Sequence, residues 1–323
     1  MGKAPSQEEV LSYFDKLSNW GRWGKEDTLG ALNLITPKKR VQAAALVKDG
    51  ESVSCSRLIP RTPPLSPSVV HFHMAQSGER YALGDDGPEW TPGVKPLQWA
   101  AEYLAFSFHG LTFTHIDGLA HVFWKGQMYN GRSAALVKAS EGALVQNTDV
   151  MRDGIMTKAV LLDVARLKGK PWLTGQEHVF PEDLEAAEQA QKCRVEEGDI
   201  VLLRTGFPAE IADVQSKDPL APPPHEHSGY NIACAPWFRE RGVAVIGSDV
   251  INDAAPVGDY KETMLPIHQV ALVAMGLRLI DNGDFERLAE VCARKNRWEF
   301  MLTLNPLRIQ NGTGSPANPI ATF

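Results

Sequence analysis

The sequence has few of the features that mark the simplest functional classes. Its 4 cysteines, Cys55, Cys193, Cys234 and Cys292, are scattered and form no C-x-x-C pair. That spacing offers no thiolate ligand pair, and with no signal peptide the thiols are expected to be reduced and the protein cytoplasmic. No apolar run approaches the ~18–20 residues of a membrane-spanning helix. A net charge of −6 without a basic run argues against nucleic acid and anionic membranes as partners. Neither a G-x-S-x-G elbow nor a P-loop pattern occurs, which disfavours a serine hydrolase or a nucleotide enzyme. No period suggests repeats, and no shift in composition marks a second domain.

What remains is an ordinary globular composition: 323 residues, 43% apolar and 22% charged, enough to bury a real core. Ser6 ahead of Glu8 and Glu9 predicts a capped helix with Val10, Leu11, Phe14 and Leu17 on one face. Thr36-Pro37 predicts a second helix start, and Gly50 its end. Between them lies NWGRWGKEDTLGALNLITP, in which Trp20 and Trp23 could wall a pocket for a flat substrate. KAVLLDVARLKG, GDIVLLRTG and GVAVIGSD read as buried strands, and Pro181 as the start of a helix. Alternating strands and helices of this kind point to the α/β class.

The densest chemistry lies in residues 109–121, HGLTFTHIDGLAH. If the chain from Phe108 to Asp117 is extended, His109, Leu111, Phe113, His115 and Asp117 share one face. A His and an Asp two residues apart then present an imidazole nitrogen and a carboxylate oxygen to a common point. This is most of a site for a borderline divalent ion such as Zn or Mn. His121, beyond Gly118, could fold back as a third ligand or a general base. Downstream, Pro266 can start a helix that ends at Gly276, followed by the strand LRLI. Asp281 at the end of that strand can then approach the 109–121 cluster. Two H-x-H pairs are lesser candidates. For His71 and His73 one ring is expected to face the core, in a lid or subunit contact. His225 and His227 are expected to be solvated in a Pro-rich loop.

The run T-H-x-D-x-x-x-H formed by Thr114, His115, Asp117 and His121 resembles the signature of the cyclase-like metal hydrolases, the family of bacterial kynurenine formamidase and isatin hydrolase. The family pattern is H-x-G-T-H-x-D-x-P-x-H. Here its first His falls on Leu111, with His109 displaced by two residues, and the usual Ala-Pro after the Asp is Gly118-Leu119. The tract PIHQVALVAMGLRLIDNGDFERL and the ending through GTGSP resemble the family as well. The resemblance implies that His268 and Asp281 complete the metal centre, with Asp281 standing where the family usually has Glu.

The fold implied is the swivelling β/β/α cyclase-like fold, single-domain and usually oligomeric. Residues 1–50 would form an N-terminal helical arm and residues 51–323 the catalytic domain. The implied function is metal-dependent hydrolysis of an amide C–N bond in a small, cyclic or aryl substrate. One or two Zn or Mn ions would be held by His115, Asp117, His268, Asp281 and His109. His121 would be the catalytic proton shuttle, and the assembly a homo-dimer or tetramer. Two alternatives stay open on the sequence. One is metal-independent acid/base chemistry in a degenerate site, favoured by Leu111 and Asp281. The other is a non-enzymatic protein that binds a small aromatic molecule.

Overall fold

A computed structural model of the chain describes residues 2–60, 70–88, 91–94, 96–219, 221–258 and 260–323. Its frame is a nine-stranded sheet in the order 52–54, 320–322, 299–304, 155–163, 200–204, 245–248, 278–281, 115–117 and 314–316. The four strands Ile155–Asp163, Ile200–Arg204, Val245–Ser248 and Arg278–Asp281 run parallel, and the flanking strands pair antiparallel. The three predicted buried strands all lie in this parallel centre, where both faces are covered and an unbroken apolar run is what the environment requires.

Alternation along each central strand divides the core in two. Val160, Leu162, Val201 and Leu203 point to one side, where they meet Val10, Leu184, Trp237 and Phe238. Ala159, Leu161, Ile200 and Leu202 point to the other, against Phe285, Leu288, Val291 and Phe300. The helices that close the first side are Gln7–Lys16, Pro181–Gln191 and Ala235–Arg241. Ser6 caps the first of them by accepting from the Glu9 amide. The N-terminal segment is bonded into the body: the Asn19 amide donates to the Ala274 carbonyl, and the Tyr260 hydroxyl to the Pro5 carbonyl. Among the described residues no helix is long and apolar enough to cross a membrane.

Several expectations need correction. The tract after Phe108 is not an extended strand. Only His115–Asp117 pairs, and residues 109–113 are bends. The helix from Pro266 does end at Gly276, at φ +62°, as expected, but it is α-helical only through His268 and a π-helix over Gln269–Met275. In the two-stranded hairpin Val70–Gln76 and Ala101–Phe106, His71 and His73 are both exposed, so neither faces the core.

Gly118 explains one departure from the family pattern. Its amide donates to the Thr313 carbonyl at 2.8 Å, and a Cβ on Gly118 would lie 2.6 Å from that oxygen. Gly118→Ala must therefore push the strand Gly314–Pro316 off its neighbour. The expected cost is about 1–3 kcal/mol, the usual range for overpacking. A thermal melt should show a clear fall in Tm; an unchanged Tm would mean that the Thr313 carbonyl moves freely.

Candidate metal centre

The strand His115–Asp117 lies between two neighbours that supply or border the site. Asp281 sits directly opposite His115, and Gly314 opposite Asp117. The cross-strand position brings Asp281 in despite its short side chain. Its Oδ2 is 3.0 Å from His268 Nε2 and 3.8 Å from His115 Nε2. The other oxygen, Oδ1, accepts from the Asn252 amide and side chain at 3.0 and 2.5 Å, which fixes the carboxylate plane.

Each histidine is aimed by its second nitrogen. His115 Nδ1 lies 2.8 Å from the Phe113 carbonyl, an acceptor only, so this nitrogen carries the proton and Nε2 faces the centre as a lone pair. His268 Nδ1 is 2.6 Å from Asp253 Oδ2. The same Asp253 carboxylate accepts from the amides of Ile267 and His268, so it seats the start of the helix and orients the ring together. A carboxylate behind a ligating imidazole is the usual support of a metal-bound histidine.

His109 arrives by a bend. Gly110 has φ +129°, and the Asn282 side chain donates to the Gly110 and Phe113 carbonyls at 2.7 and 3.2 Å. The bend brings His109 Nδ1 to 3.1 Å from Asp117 Oδ1 and lays its ring on His121, with centroids 3.8 Å apart and planes 6° from parallel. Leu111, at the family's first histidine position, is half exposed. His109 thus occupies the neighbourhood of the missing imidazole.

Asp117 is the hub. It is fully buried, and neither of its oxygens has a hydrogen-bond partner among the described residues. Oδ1 faces His109, His115 at 3.5 Å and His121 at 3.8 Å; Oδ2 faces His268 at 3.6 Å. The approaches are close, but none has hydrogen-bond alignment. Two ligand sets share this carboxylate, His109–His115–Asp117 and Asp117–His268–Asp281. Within each, the donor atoms all lie within 4.8 Å of one another. Imidazole nitrogens and carboxylate oxygens around a buried, unsatisfied acid are the donor set of a divalent transition ion, and the residues fit one.

Charge reinforces this. Burial pushes the Asp117 carboxyl up, but His121, His109, His115 and His268 more than offset it and hold it below the usual carboxylate range. Burial works against a proton on His268, yet Asp281 and Asp253 overcome it and raise this imidazole well above its ordinary value. His121 is held below its ordinary value by burial, against the pull of Asp117. Its side chain is still 28% exposed, so it forms the rim between the centre and solvent.

Trp20 and Trp23 are not brought to this cluster. The Trp20 indole donates to the Val273 carbonyl at 2.6 Å and lines a groove with the stacked pair Phe14 and Trp124. Trp23 lies under the Arg22 guanidinium, 4.6 Å away. The pair His225 and His227 divides: His225 is exposed, but His227 is buried, not solvated as expected. Asp253, Asn252 and Asn282 escaped the sequence reading. The available signal was N-D just beyond the strand GVAVIGS, at the carboxyl end where α/β sheets place their polar groups.

The family model described as "putative cyclase" matches residues 60–253, well over half of the chain. The chain belongs to the cyclase family. A solved structure described as a novel cyclase is 29% identical, with a TM-score of 0.84, and the match covers 99% of this chain and 100% of that one. Isatin hydrolase A from Ralstonia solanacearum shares the cyclase fold at 18% identity and a TM-score of 0.57, over 88% of this chain and 97% of its own. Isatin hydrolase A from Labrenzia aggregata, bound to benzyl benzoate, does so at 19% and 0.56, over 86% and 94%. No curated protein matches the chain in sequence.

The proton on His268 gives a test of the centre. An ion that uses Nε2 must displace that proton, so affinity should rise with pH and binding should release protons. Calorimetric Zn titrations in two buffers of different ionisation enthalpy should detect this release near neutrality. Asp253→Asn should weaken Zn binding about 10–100-fold, the usual cost of losing such a support, with the circular dichroism spectrum unchanged. Undiminished affinity in that variant would remove Asp253 from the centre.

Proposed function

We propose that this protein is a metal-dependent hydrolase that cleaves the C–N bond of a small, cyclic or aryl amide. The observation that carries the proposal is Asp117, a buried carboxylate with both oxygens unpaired between two sets of ligating groups. The sharing of its fold with isatin hydrolases is consistent with hydrolysis. His109, His115 and Asp117 would hold one ion and Asp117, His268 and Asp281 a second, with Zn and Mn both suited to this donor set. When bound, such an ion acidifies water to near neutrality and polarises a carbonyl oxygen.

The chain's own residues then have defined tasks. Asp253 and Asn252 fix His268 and Asp281, so the ligands need little rearrangement. His121, partly exposed and stacked on His109, takes the proton from the attacking water and returns it to the leaving nitrogen. The water oxygen bonds to the carbonyl carbon, the C–N bond breaks, and the products are an acid and an amine. An imidazole not already protonated at neutral pH suits the first half of this task, and burial keeps His121 in that form.

The expected partner is a small-molecule substrate, with no nucleic acid or membrane involved, in the cytoplasm. A homo-dimer or tetramer is in keeping with the apolar side chains that the 70–76/101–106 hairpin exposes, Met74, Tyr103 and Leu104. The test is turnover of a panel of activated anilides and lactams by protein reconstituted with Zn or Mn. His121→Ala should retain metal and lose about 10²–10⁴ in kcat. Full activity in that variant would remove His121 from the mechanism, and no turnover of any amide by the wild type would overturn the proposal.

A further inference from the structure

His109 meets the centre the opposite way round from the other two ligating imidazoles. His115 and His268 each anchor Nδ1 within the protein and turn Nε2 toward Asp117. In His109 the ring is reversed. Its Nδ1 lies 3.1 Å from Asp117 Oδ1, buried and without an aligned hydrogen-bond partner among the described residues. Its Nε2 points away from the centre, to the Thr313 hydroxyl at 3.3 Å.

That outer contact is held in place by the sheet. The Thr313 carbonyl accepts from the Gly118 amide at 2.8 Å, and Gly314 pairs with Asp117 across the strands. The Thr313 hydroxyl is therefore carried by the residue next to Asp117's own cross-strand partner. Gly314 supplies the space. A Cβ there would stand 2.5 Å from His109 Cε1 and 2.8 Å from Nε2, well inside the ~3.5–4.0 Å of a good carbon contact. The His121 ring, stacked at 3.8 Å, closes one face of His109. Edge and face together leave the ring little freedom to turn its other nitrogen inward.

A neutral imidazole has one proton for its two nitrogens, and a hydroxyl can either accept that proton or give its own. A metal ion takes a nitrogen only through its lone pair. An ion on Nδ1 therefore requires the proton on Nε2, where Thr313 Oγ1 is placed to accept it. We infer that Thr313 is a positioning residue that makes Nδ1 the ligating nitrogen of His109, and that Gly314 leaves the ring the room to take up that position. The pair does for His109 what Asp253 does for His268 and the Phe113 carbonyl for His115. The inference rests on the metal-dependent reading of the site and adds Thr313 and Gly314, 192 or more positions beyond His121, to the residues that build it.

The test reads Zn binding and ring protonation, not turnover. Thr313→Val replaces the hydroxyl by a methyl group of similar size and should weaken the binding of one Zn about 10–100-fold, the usual cost of losing an outer partner. Thr313→Ser keeps the hydroxyl and should bind Zn within a few-fold of the wild type, which a purely structural role for the Thr313 side chain would not predict. In Zn-loaded wild-type protein with 15N-labelled histidine, long-range proton–nitrogen spectra should show His109 protonated at Nε2, whether or not the variants fold. The resonance is identified by its loss in His109→Gln. A proton on Nδ1 of His109 in the loaded protein would overturn the inference. So would wild-type affinity in Thr313→Val, or a Thr313→Ser protein as weak as Thr313→Val. Each of these results leaves the hydrolase proposal standing, because no catalysis is read. Wild-type protein that takes up no Zn would instead overturn the inference and the metal-dependent reading together.

Discussion

Asp117 carries a charge into a place where water cannot reach it. An uncompensated buried carboxylate costs several kcal/mol even after relaxation, and this one receives no hydrogen bond from the described residues. Nitrogen atoms from four histidines gather around it instead, brought by two parts of the chain, the 109–121 tract and the turn into the 266–275 helix, while the end of a parallel strand adds Asp281 beside His268. The surrounding structure is built to hold that arrangement. The strand 115–117 is flanked on both sides, the bend at Gly110 is tied by Asn282, and His268 and Asp281 are each locked by a neighbour in the 252–253 dipeptide.

The sheet explains how one dipeptide can support two ligands. The parallel strands 200–204, 245–248 and 278–281 end side by side, so the segment after each one reaches its neighbour's tip. Asn252 reaches the Ile280 carbonyl and the Asp281 carboxylate this way, and Asp253 reaches the helix that bears His268. Two other buried charged groups are paired within the protein. Asp249 accepts from the Thr205 amide and hydroxyl and from the Gly206 amide, and Arg204 bridges Asp163 and Glu286. Among the described residues Asp117 differs from these in that both of its carboxylate oxygens lack a hydrogen bond.

Much of this was legible in the sequence, for definable reasons. The central strands announced themselves because strands buried on both faces need continuous apolar runs, and VLLD, IVLLR and VAVIGS supply them. The spacing of His115, Asp117 and His121 marked the centre because strand and turn geometry are local. The path of His109 was not legible. Whether residues 108–114 are straight or bent depends on Asn282, more than 160 positions away, donating to their carbonyls. Asp253 and Asn252 were silent for the same reason: their value lies in what the fold places opposite them. His227 was misjudged because a Pro-rich, polar loop reads as exposed, whereas the bridge to Ala255 draws this residue inward while His225 stays in solvent. For the tryptophans the sequence left both uses open, since aromatic residues in a glycine-rich arm suit a pocket wall and a packing strap equally, and Trp20 lines a groove of its own with Phe14 and Trp124.

What neutralises and ligates Asp117 decides the chemistry of the site. The most direct measurement is metal content per chain by plasma mass spectrometry, on protein purified without chelator or affinity tag, beside Asp117→Ala. One or two Zn or Mn per chain, lost in the variant, is the predicted result. Wild-type protein that holds no metal, even after reconstitution with both ions, would contradict it.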